Sequence, residues 1–209
     1  MLLDKTVKDF LEELASESPA PGGGSVAALC GSLASALCSM VCRLTVDKKM
    51  YENVNDELKT ILEKTEFYRK EFTRLVDEDT EAFNLVMKAY KLPKASDEDK
   101  ARRKDAIEVA LKKATDIPME VLKNVSEMIE FSITVANKGN VNSLSDSSVA
   151  ALLLQSAGVA ALYNIIINLK LIKDQEYVEA KQNKINLYTE KIESFSSVIK
   201  EISQRNFIH

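Results

Sequence analysis

The stretch Ser18-Pro19-Ala20-Pro21-Gly22-Gly23-Gly24-Ser25 determines where the first long helix can begin. Each proline lacks a backbone N–H donor and biases the preceding residue toward extended geometry, so the stretch ends any helix before it. The three glycines tolerate backbone conformations and close contacts that other residues do not. Residues 26–42 follow without a single charge and are rich in small side chains. The stretch therefore predicts a tight turn that opens an apolar helix.

A glycine-rich turn at a helix start can bind a ligand, or it can simply cap the helix. The first N–H groups of a helix have no intrahelical acceptor and lie at the positive end of the helix dipole, which suits an anion or a polarised carbonyl. The other interpretation is a tight N-cap, with Ser25 as the capping residue and nothing bound. The stretch matches neither the P-loop nor the dinucleotide-binding fingerprint, so spacing leaves both interpretations open.

The length and charge of the chain limit what it can bind and where it works. At 209 residues it is long enough for a substantial core, and we expect a single domain over residues 1–209. The formal net charge of −4, with lysines interspersed among acidic residues, argues against a nucleic-acid partner. The chain opens with an amphipathic pattern instead of a signal peptide, so we expect a cytoplasmic protein.

The cysteine and histidine content argues against a metal centre. Cys30, Cys38 and Cys42 all lie on the predicted apolar helix, which indicates reduced thiols packed as small hydrophobic side chains. Cys38 and Cys42 share a helix face, but no histidine or third thiol accompanies them, so we expect no metal site. The single histidine, His209, is the final residue, which argues against histidine-based catalysis.

Helical periodicity runs through every long segment, and no segment alternates with the period of a strand. We therefore expect an all-α fold, an antiparallel bundle of long helices. Residues 26–42 and 149–169 are uncharged, and the second run is long enough to span a membrane. It contains Gln155, Asn164 and Asn168, however, and neither run is flanked by an aromatic belt. We expect two apolar central helices, buried in the bundle or in an oligomer interface, and no membrane partner.

Four further residues in the second half of the chain have predicted structural roles. Asn164 and Asn168 share a helix face, and buried amides need partners, either neighbouring backbone or a ligand; we favour structural pairing. Pro118 either kinks a helix or begins a new one. Gly139 is expected to end that helix in the left-handed conformation.

An acidic residue interrupts the apolar seam of the longest predicted helix. The seam recurs at steps of four and three residues, at Val54, Leu58, Ile61, Thr65, Tyr68, Phe72 and Leu75. The same spacing places Asp79 on the seam, whereas Asp77 lies roughly on the opposite face of the helix. A buried carboxylate must be paired, hydrogen-bonded or kept neutral by a raised pKa. Asp79 is therefore a satisfied structural residue or an acid–base group that lines a cavity, and we favour the second interpretation.

Taken together, these segments resemble the formiminotetrahydrofolate cyclodeaminase family. The resemblance spans nearly the whole chain and rests on residues 19–28, 39–41, 44–45, 76–79, 82–83, 92–94, 139–140, 145–146, 149–151 and 164–169. The family includes the C-terminal half of the bifunctional formiminotransferase-cyclodeaminase and stand-alone methenyltetrahydrofolate cyclohydrolases. The formiminotransferase half is absent from this sequence.

The resemblance implies an all-helical homodimer that binds a folate in a cleft. It also implies an acid–base role for an aspartate of residues 76–79, which our alignment places at Asp79, with Asp77 as the alternative. The implied binding residues are Gly22, Gly23, Gly24, Ser25, Asn140, Asn142, Ser145, Asp146, Arg43, Lys48 and Lys49. In this arrangement the glycine turn and its serine engage a carbonyl or carboxylate, residues 140–146 line the opposite wall, and the cations hold the glutamate tail.

The chemistry of this family is consistent with the residues present. In 5-formiminotetrahydrofolate, N10 attacks the amidine carbon, the ring closes to 5,10-methenyltetrahydrofolate and ammonia leaves, so one carboxyl group could carry the proton. No tightly bound cofactor is required. The alternative is a 5,10-methenyltetrahydrofolate cyclohydrolase, in which water attacks the methenyl carbon in the same pocket. A third hypothesis, a non-catalytic helical scaffold or interaction module, is disfavoured because Asp79 and the glycine turn are retained.

Overall fold

The computed structural model describes residues 1–205 and contains no strand in that range, which confirms the all-α prediction. Its helices are α1 (Val7–Leu14), α2 (Gly23–Thr45), α3 (Asn55–Tyr90), α4 (Asp97–Lys138), α5 (Leu144–Leu169) and α6 (Gln175–Arg205). Short 3-10 helices lie at Leu2–Asp4, Lys49–Val54 and Val141–Ser143. His209 lies outside the described residues, and a single domain over residues 1–209 stays a prediction.

Helices α2 to α5 form a bundle in which sequence neighbours are antiparallel. On one side α2 packs between α3 and α5, and on the other side α4 packs between the same two helices. The hydrogen bonds from α2 to α3 show the direction, because Ser25 contacts Asp79 whereas Ser39 contacts Thr65. Helix α6 lies against α4 and α5. The N-terminal end of α2 is therefore placed beside the C-terminal halves of α3 and α5.

Small residues let α2 approach α3 closely. A Cβ atom added at Gly31 would lie 2.6 Å from the ring of Phe72, so a larger residue there would push the two helices apart. The hydroxyl of Ser32 lies 3.0 Å from that of Thr73, and each is satisfied in this contact. The small side chains of α2 are therefore explained by close packing against α3.

The cysteines of α2 pack as the sequence predicted. Cys38 and Cys42 are buried without a disulfide, and burial raises the pKa of each thiol to about 12. Neither thiol ionises near neutral pH, so both behave as small hydrophobic side chains. Within residues 1–205, no group of three or more His, Cys, Asp or Glu residues is arranged to hold a metal ion.

Helix α4 continues through Pro118, where the sequence left a kink or a new helix open. Proline has no N–H, so the carbonyl of Ala114, four residues earlier, loses its helical donor. Asn168 of α5 replaces that donor, with its side-chain nitrogen 2.9 Å from the Ala114 oxygen. The structural pairing favoured for Asn168 is confirmed. This bond ties the middle of α4 to the C-terminal end of α5.

Gly139 follows α4 but does not adopt the expected left-handed conformation. Its φ is −73°, so that prediction is wrong. The glycine is explained by crowding, because a Cβ atom there would lie 2.5 Å from the carbonyl oxygen of Val135 and 2.6 Å from the Val41 side chain. The missing side chain therefore allows the connection between α4 and α5 to pass against α2.

One face of α2 and α5, here named the α2–α5 face, is not covered by the rest of the described chain. Its exposed apolar side chains are Leu33, Met40, Leu44, Val149, Leu152, Val159, Tyr163 and Ile167. By length and composition alone, Gly23–Thr45 and Val141–Leu169 also meet the criterion for helices that can cross a membrane. A single copy thus leaves both apolar helices partly exposed, and their central position stays a prediction.

Candidate active site

A cleft of about 350 Å³ opens where the first turn of α2 meets α3, α4 and α5. Its walls are mainly apolar and include Phe83, Met87, Leu111, Ile167 and Leu171. Polar atoms come from the glycine turn, one aspartate and two asparagines. This volume and this mixture of surfaces are typical of a site for a small organic ligand.

Asp79 is the one carboxylate among the described residues that line the cleft. Its Oδ2 accepts a hydrogen bond of 2.9 Å from the Ser25 hydroxyl, which also lies 3.2 Å from the hydroxyl of Thr80. Burial raises the pKa of Asp79, and hydrogen bonds from the side chain and backbone N–H of Ser25 partly oppose that rise. A carboxyl group with a raised pKa, open to a cleft, is suited to exchange protons with a ligand.

The close approach of Asp79 to α2 explains why position 24 is a glycine. A Cβ atom added at Gly24 would lie 2.0 Å from Asp79 Oδ1, so any other residue would displace the carboxylate. At Gly22 an added Cβ would meet only the Pro19 oxygen, at 3.7 Å, and at Gly23 it would lie 3.4 Å from the Asn164 amide. The steric requirement for glycine is therefore strict at one position of the three.

Ser25 does not cap α2, so the prediction that it is the capping residue is wrong. The helix begins two residues earlier, and Gly22 occupies the N-cap without any side-chain cap bond. Ser25 is fully buried and donates its hydroxyl hydrogen to Asp79. It does not line the cleft, whereas Gly22, Gly23 and Gly24 do. The serine is thus placed to hold the carboxylate, and the glycine N–H groups are placed to meet a ligand.

Asn164 and Asn168 both line the cleft as well as pairing with backbone. The Asn164 nitrogen donates to the carbonyl of Ala160 at 2.8 Å, so its favoured structural pairing is confirmed. In the part of the chain that the structure describes, neither asparagine's side-chain oxygen accepts a hydrogen bond. Both oxygens are therefore available to a donor on a ligand.

Asp77, the alternative acid–base residue, points away from the cleft. Its Oδ1 accepts a hydrogen bond of 2.5 Å from the backbone N–H of Leu2. Residues two apart on an α-helix face roughly opposite directions, as the helical wheel predicted. The structure therefore favours Asp79 as the group that contacts a ligand.

The remaining residues expected to bind folate lie at the other end of α2. They are Arg43, Lys48, Lys49, Asn140, Asn142, Ser145 and Asp146, and none of them lines the cleft. Asn140 donates to the carbonyl of Leu44, and Arg43 forms an ion pair with Glu66 at 3.2 Å. A helix of 23 residues is roughly 33 Å long. Within one copy of the chain these residues therefore do not share the cleft with the glycine turn, and their role in binding stays a prediction.

The apolar walls of the cleft were not predicted from the sequence. Phe83, Met87 and Tyr90 follow Asp79 along one face of α3 at steps of four and three residues. That spacing was visible in the sequence, but apolar residues at this spacing usually indicate core. The cleft walls that α4 and α5 provide depend on tertiary packing, which periodicity alone does not predict.

Within residues 1–205, the fold and the cleft together define an all-helical protein with one inward-facing carboxyl group in a mainly apolar cleft. A family model described as formiminotransferase-cyclodeaminase matches residues 6–187. The chain belongs to this family.

Known proteins of the same family cover most of the chain. A methenyltetrahydrofolate cyclohydrolase of Methylorubrum extorquens is 43% identical over 178 residues, which are 85% of this chain and 86% of that protein. The formimidoyltransferase-cyclodeaminase of Mus musculus is 34% identical over 88% of this chain, which spans only 34% of that longer protein. The crystal structure of a formiminotetrahydrofolate cyclodeaminase from Thermotoga maritima superposes with a TM-score of 0.86, at 32% identity and 97% coverage of both chains.

Proposed function

We propose that this protein is a folate enzyme that acts on the one-carbon unit between N5 and N10, with hydrolysis of 5,10-methenyltetrahydrofolate as its reaction. The observation that carries the proposal is the carboxyl group of Asp79, which faces the cleft beside the glycine turn. The similarity to a cyclohydrolase over most of both chains supports the choice of reaction. The proposed reaction needs no tightly bound cofactor, and we propose that it takes place in the cytoplasm without a nucleic-acid or membrane partner.

In this reaction Asp79 first acts as a base. Its carboxylate takes a proton from water as the water oxygen bonds to the methenyl carbon, which gives a neutral carbinolamine. The protonated Asp79 then donates to N5 as the bond between N5 and the carbon breaks. The carbinolamine hydroxyl loses its proton to solvent and becomes the formyl carbonyl. The products are 10-formyltetrahydrofolate and one proton, so atoms and charge balance.

The rest of the proposed rate acceleration comes from the way the cleft holds the folate near Asp79. The apolar side chains of Phe83, Met87 and Ile167 offer surface for the aromatic parts of a folate. The N–H groups of Gly23 and Gly24 and the two asparagine oxygens offer donors and acceptors that fix its orientation. Holding the reacting carbon near the carboxyl group makes the reaction effectively unimolecular.

Cyclodeamination is the second candidate, favoured by the structural match to a cyclodeaminase over nearly the whole chain. Here N10 attacks the carbon of a protonated 5-formimino group, and Asp79 takes the N10 proton. The same carboxyl group then protonates the departing nitrogen, which leaves as ammonia. The cleft and the proton carrier are those of the hydrolysis, so one site serves either substrate.

The two reactions are separated by following the absorbance of 5,10-methenyltetrahydrofolate with each substrate supplied separately. Hydrolysis consumes this compound, whereas cyclodeamination of 5-formiminotetrahydrofolate produces it. For Asp79→Asn we expect a loss of turnover of at least about a hundredfold, because the proton carrier is removed. Asp77→Asn is the matched control, with the same chemical change on the same helix but outside the cleft, and it also tests the alternative assignment.

The experiment can also reject the proposal. If Asp79→Asn keeps its turnover, the acid–base assignment fails. If the wild-type protein turns over neither substrate, and calorimetry detects no binding of tetrahydrofolate, the protein is a scaffold that has kept the fold without the activity.

We propose in addition that two copies join through the α2–α5 face. This face presents a continuous series of exposed apolar side chains on two neighbouring helices, among them Leu33 and Leu152. Exposed apolar surface of this extent is typical of protein–protein contact. In such a homodimer, both apolar helices would be central and buried.

A further inference from the structure

A proline inside α4 determines how one side chain of the cleft is oriented. Pro118 is buried and does not line the cleft, but it leaves the carbonyl of Ala114 without its helical donor. Ala114 and Asn168 both line the cleft, and the Asn168 nitrogen donates to that carbonyl at 2.9 Å. The mechanism proposed above gives Pro118 no part.

The bond to Ala114 fixes which end of the Asn168 amide is turned toward α4. A carbonyl oxygen can only accept a hydrogen bond, so the amide nitrogen is the atom that faces it. The reverse orientation would set two oxygens against each other and leave the Ala114 carbonyl without a donor, which carries the cost of an unpaired polar group. The Asn168 oxygen is therefore turned away from Ala114.

The Asn168 oxygen is left free for a ligand. Within residues 1–205 it accepts no hydrogen bond, and it is not one of the buried polar atoms that lack a partner, so solvent reaches it. The Asn164 oxygen is in the same state, because its nitrogen donates to the carbonyl of Ala160 at 2.8 Å. Two acceptors thus lie one helical turn apart on the α5 wall of the cleft.

The polar groups of the cleft follow one another in a definite order. A Cβ atom added at Gly24 would lie 2.0 Å from Asp79, and one added at Gly23 would lie 3.8 Å from the Asn164 oxygen. Asn168 follows one turn further along α5 and reaches α4. The order is therefore a proton carrier, the N–H donors of the glycine turn and two acceptors.

The substrate proposed above presents matching groups in the same order. One edge of its 2-amino-4-oxopteridine ring carries N5, the O4 carbonyl, the N3–H donor and the 2-amino donor. With N5 at Asp79, O4 meets the glycine N–H groups, and the two donors meet the asparagine oxygens. This orientation agrees with the proposed mechanism, in which Asp79 protonates N5.

We propose that Pro118 is a positioning residue for this substrate, because it fixes the Asn168 amide with its oxygen available to the 2-amino group. This inference rests on the proposed function. Pro118 does not touch the substrate itself. It acts through the carbonyl of Ala114, which requires a donor that the amide nitrogen supplies.

The experiment compares 5,10-methenyltetrahydrofolate with its 2-desamino-2-methyl analogue, in which a methyl group of similar size replaces the donor. We expect the wild-type kcat/KM to be about tenfold higher for the natural compound, because the analogue leaves the Asn168 oxygen unpaired. Pro118→Ala restores a backbone N–H, so the Ala114 carbonyl keeps a donor whichever way the amide turns. The preference should then fall by at least about threefold. A proline inside a helix is unfavourable, so this variant should stay folded.

Two further comparisons show whether Pro118 acts through Asn168. Asn168→Ala should also lower the preference, and adding Pro118→Ala to it should cause no further change, because the amide is already absent. Pro93→Ala is the matched control, since it makes the same change at an exposed proline outside the cleft. It should keep the wild-type preference.

The fall in preference tests the inference separately from the proposed function. An unchanged preference in Pro118→Ala, an equal fall in Pro93→Ala, or equal wild-type kcat/KM for the two compounds would overturn the inference while leaving the proposed function in place.

A binding measurement keeps the inference testable if the protein turns over neither compound. Isothermal titration calorimetry with tetrahydrofolate and its 2-desamino-2-methyl analogue gives the same comparison as a ratio of Kd values. A ratio that falls in Pro118→Ala but not in Pro93→Ala supports the inference. An unchanged ratio, or no binding of tetrahydrofolate to the wild-type protein, contradicts it.

Discussion

Burial and hydrogen bonds from one serine together set the acid–base behaviour of Asp79 in the cleft. Two effects act on Asp79: burial raises the pKa of its carboxyl group, and donation from Ser25 lowers it. The hydroxyl of Ser25 lies behind the carboxylate, away from the cleft surface, so its effect on a ligand passes through Asp79.

Replacing Ser25 by alanine should shift the pH dependence of the reaction. Asp79 must be ionised to take a proton from water, so kcat/KM should rise as the pH rises through the pKa of this group. Loss of the Ser25 hydroxyl removes a donor that stabilises the carboxylate, which raises that pKa. We therefore expect the acidic limb of a profile of kcat/KM against pH to move to higher pH in Ser25→Ala.

Ser35→Ala is the matched control for this shift. Ser35 is equally buried on α2, but its hydroxyl donates to the carbonyl of Gly31 at 2.9 Å. Its removal should leave the position of the acidic limb unchanged. An unshifted limb in Ser25→Ala would show that the serine does not tune Asp79.

The identity of the inward-facing aspartate was predictable, whereas the distance of the predicted cations from the cleft was not. Asp79 lies at the helical spacing of the apolar residues of α3 and Asp77 does not, so periodicity distinguished the two. The cations Arg43 and Lys48 are close to the glycine turn in the sequence, but α2 carries them roughly 33 Å away.

At the scale of secondary-structure elements, α2 depends on glycines for two different contacts. Gly24 makes room for Asp79, and Gly31 makes room for Phe72. Replacement by alanine should therefore affect catalysis at Gly24 and bundle packing at Gly31.

Gly24→Ala should lower kcat by at least about tenfold, because the new methyl group displaces the carboxylate. Gly31→Ala should instead lower the free energy of unfolding, by about 1–3 kcal/mol, and leave kcat per folded molecule unchanged. The measurements are steady-state kinetics and urea unfolding of both variants. Wild-type kcat in Gly24→Ala would contradict the position assigned to Asp79.

Because α4 continues through Pro118, we expect substitutions at Pro118 in α4 and at Asn168 in α5 to be energetically coupled. Asn168→Leu removes the donor to the Ala114 carbonyl and should cost about 1–3 kcal/mol in the free energy of unfolding. In the Pro118→Ala background the cost should shrink, because the new backbone N–H can donate to the same carbonyl. A double-mutant cycle by urea unfolding measures this coupling.

Asn164→Leu provides the control for that cycle. Its side chain donates to Ala160 within its own helix, so its cost should be the same with or without Pro118. If Asn168→Leu also costs the same in both backgrounds, the carbonyl of Ala114 does not depend on the asparagine. The sequence showed that Pro118 and Asn168 each required an explanation, but their pairing depends on the register of α4 against α5.

At the scale of the whole molecule, the uncovered α2–α5 face determines the expected assembly. The uncharged runs 26–42 and 149–169 do lie on two helices, α2 and α5, but the sequence could not show which sides of these helices the chain itself covers. In one copy Leu33 and Leu152 are each nearly half exposed. Burying such side chains in a contact stabilises an assembly in proportion to the apolar area removed from water.

A charge on this face should therefore separate the two copies. We expect a dimer for the wild-type protein and a monomer for Leu33→Arg or Leu152→Arg, measured by size-exclusion chromatography with light scattering. Val109→Arg is the control, because Val109 is exposed on α4, outside this face. A wild-type protein that stays monomeric at all concentrations would refute the proposed homodimer.

The partly buried carboxyl group of Asp79 also affects the stability of the folded chain. Because the folded pKa of Asp79 lies above its unfolded value, the folded chain holds this proton more tightly than the unfolded chain does. The stability contributed by the group is complete below the unfolded pKa and is lost as the pH rises through the folded pKa. The protein is thus weakened under the conditions in which the carboxylate must work. Selection for heat resistance without a screen for turnover would favour uncharged replacements at this position.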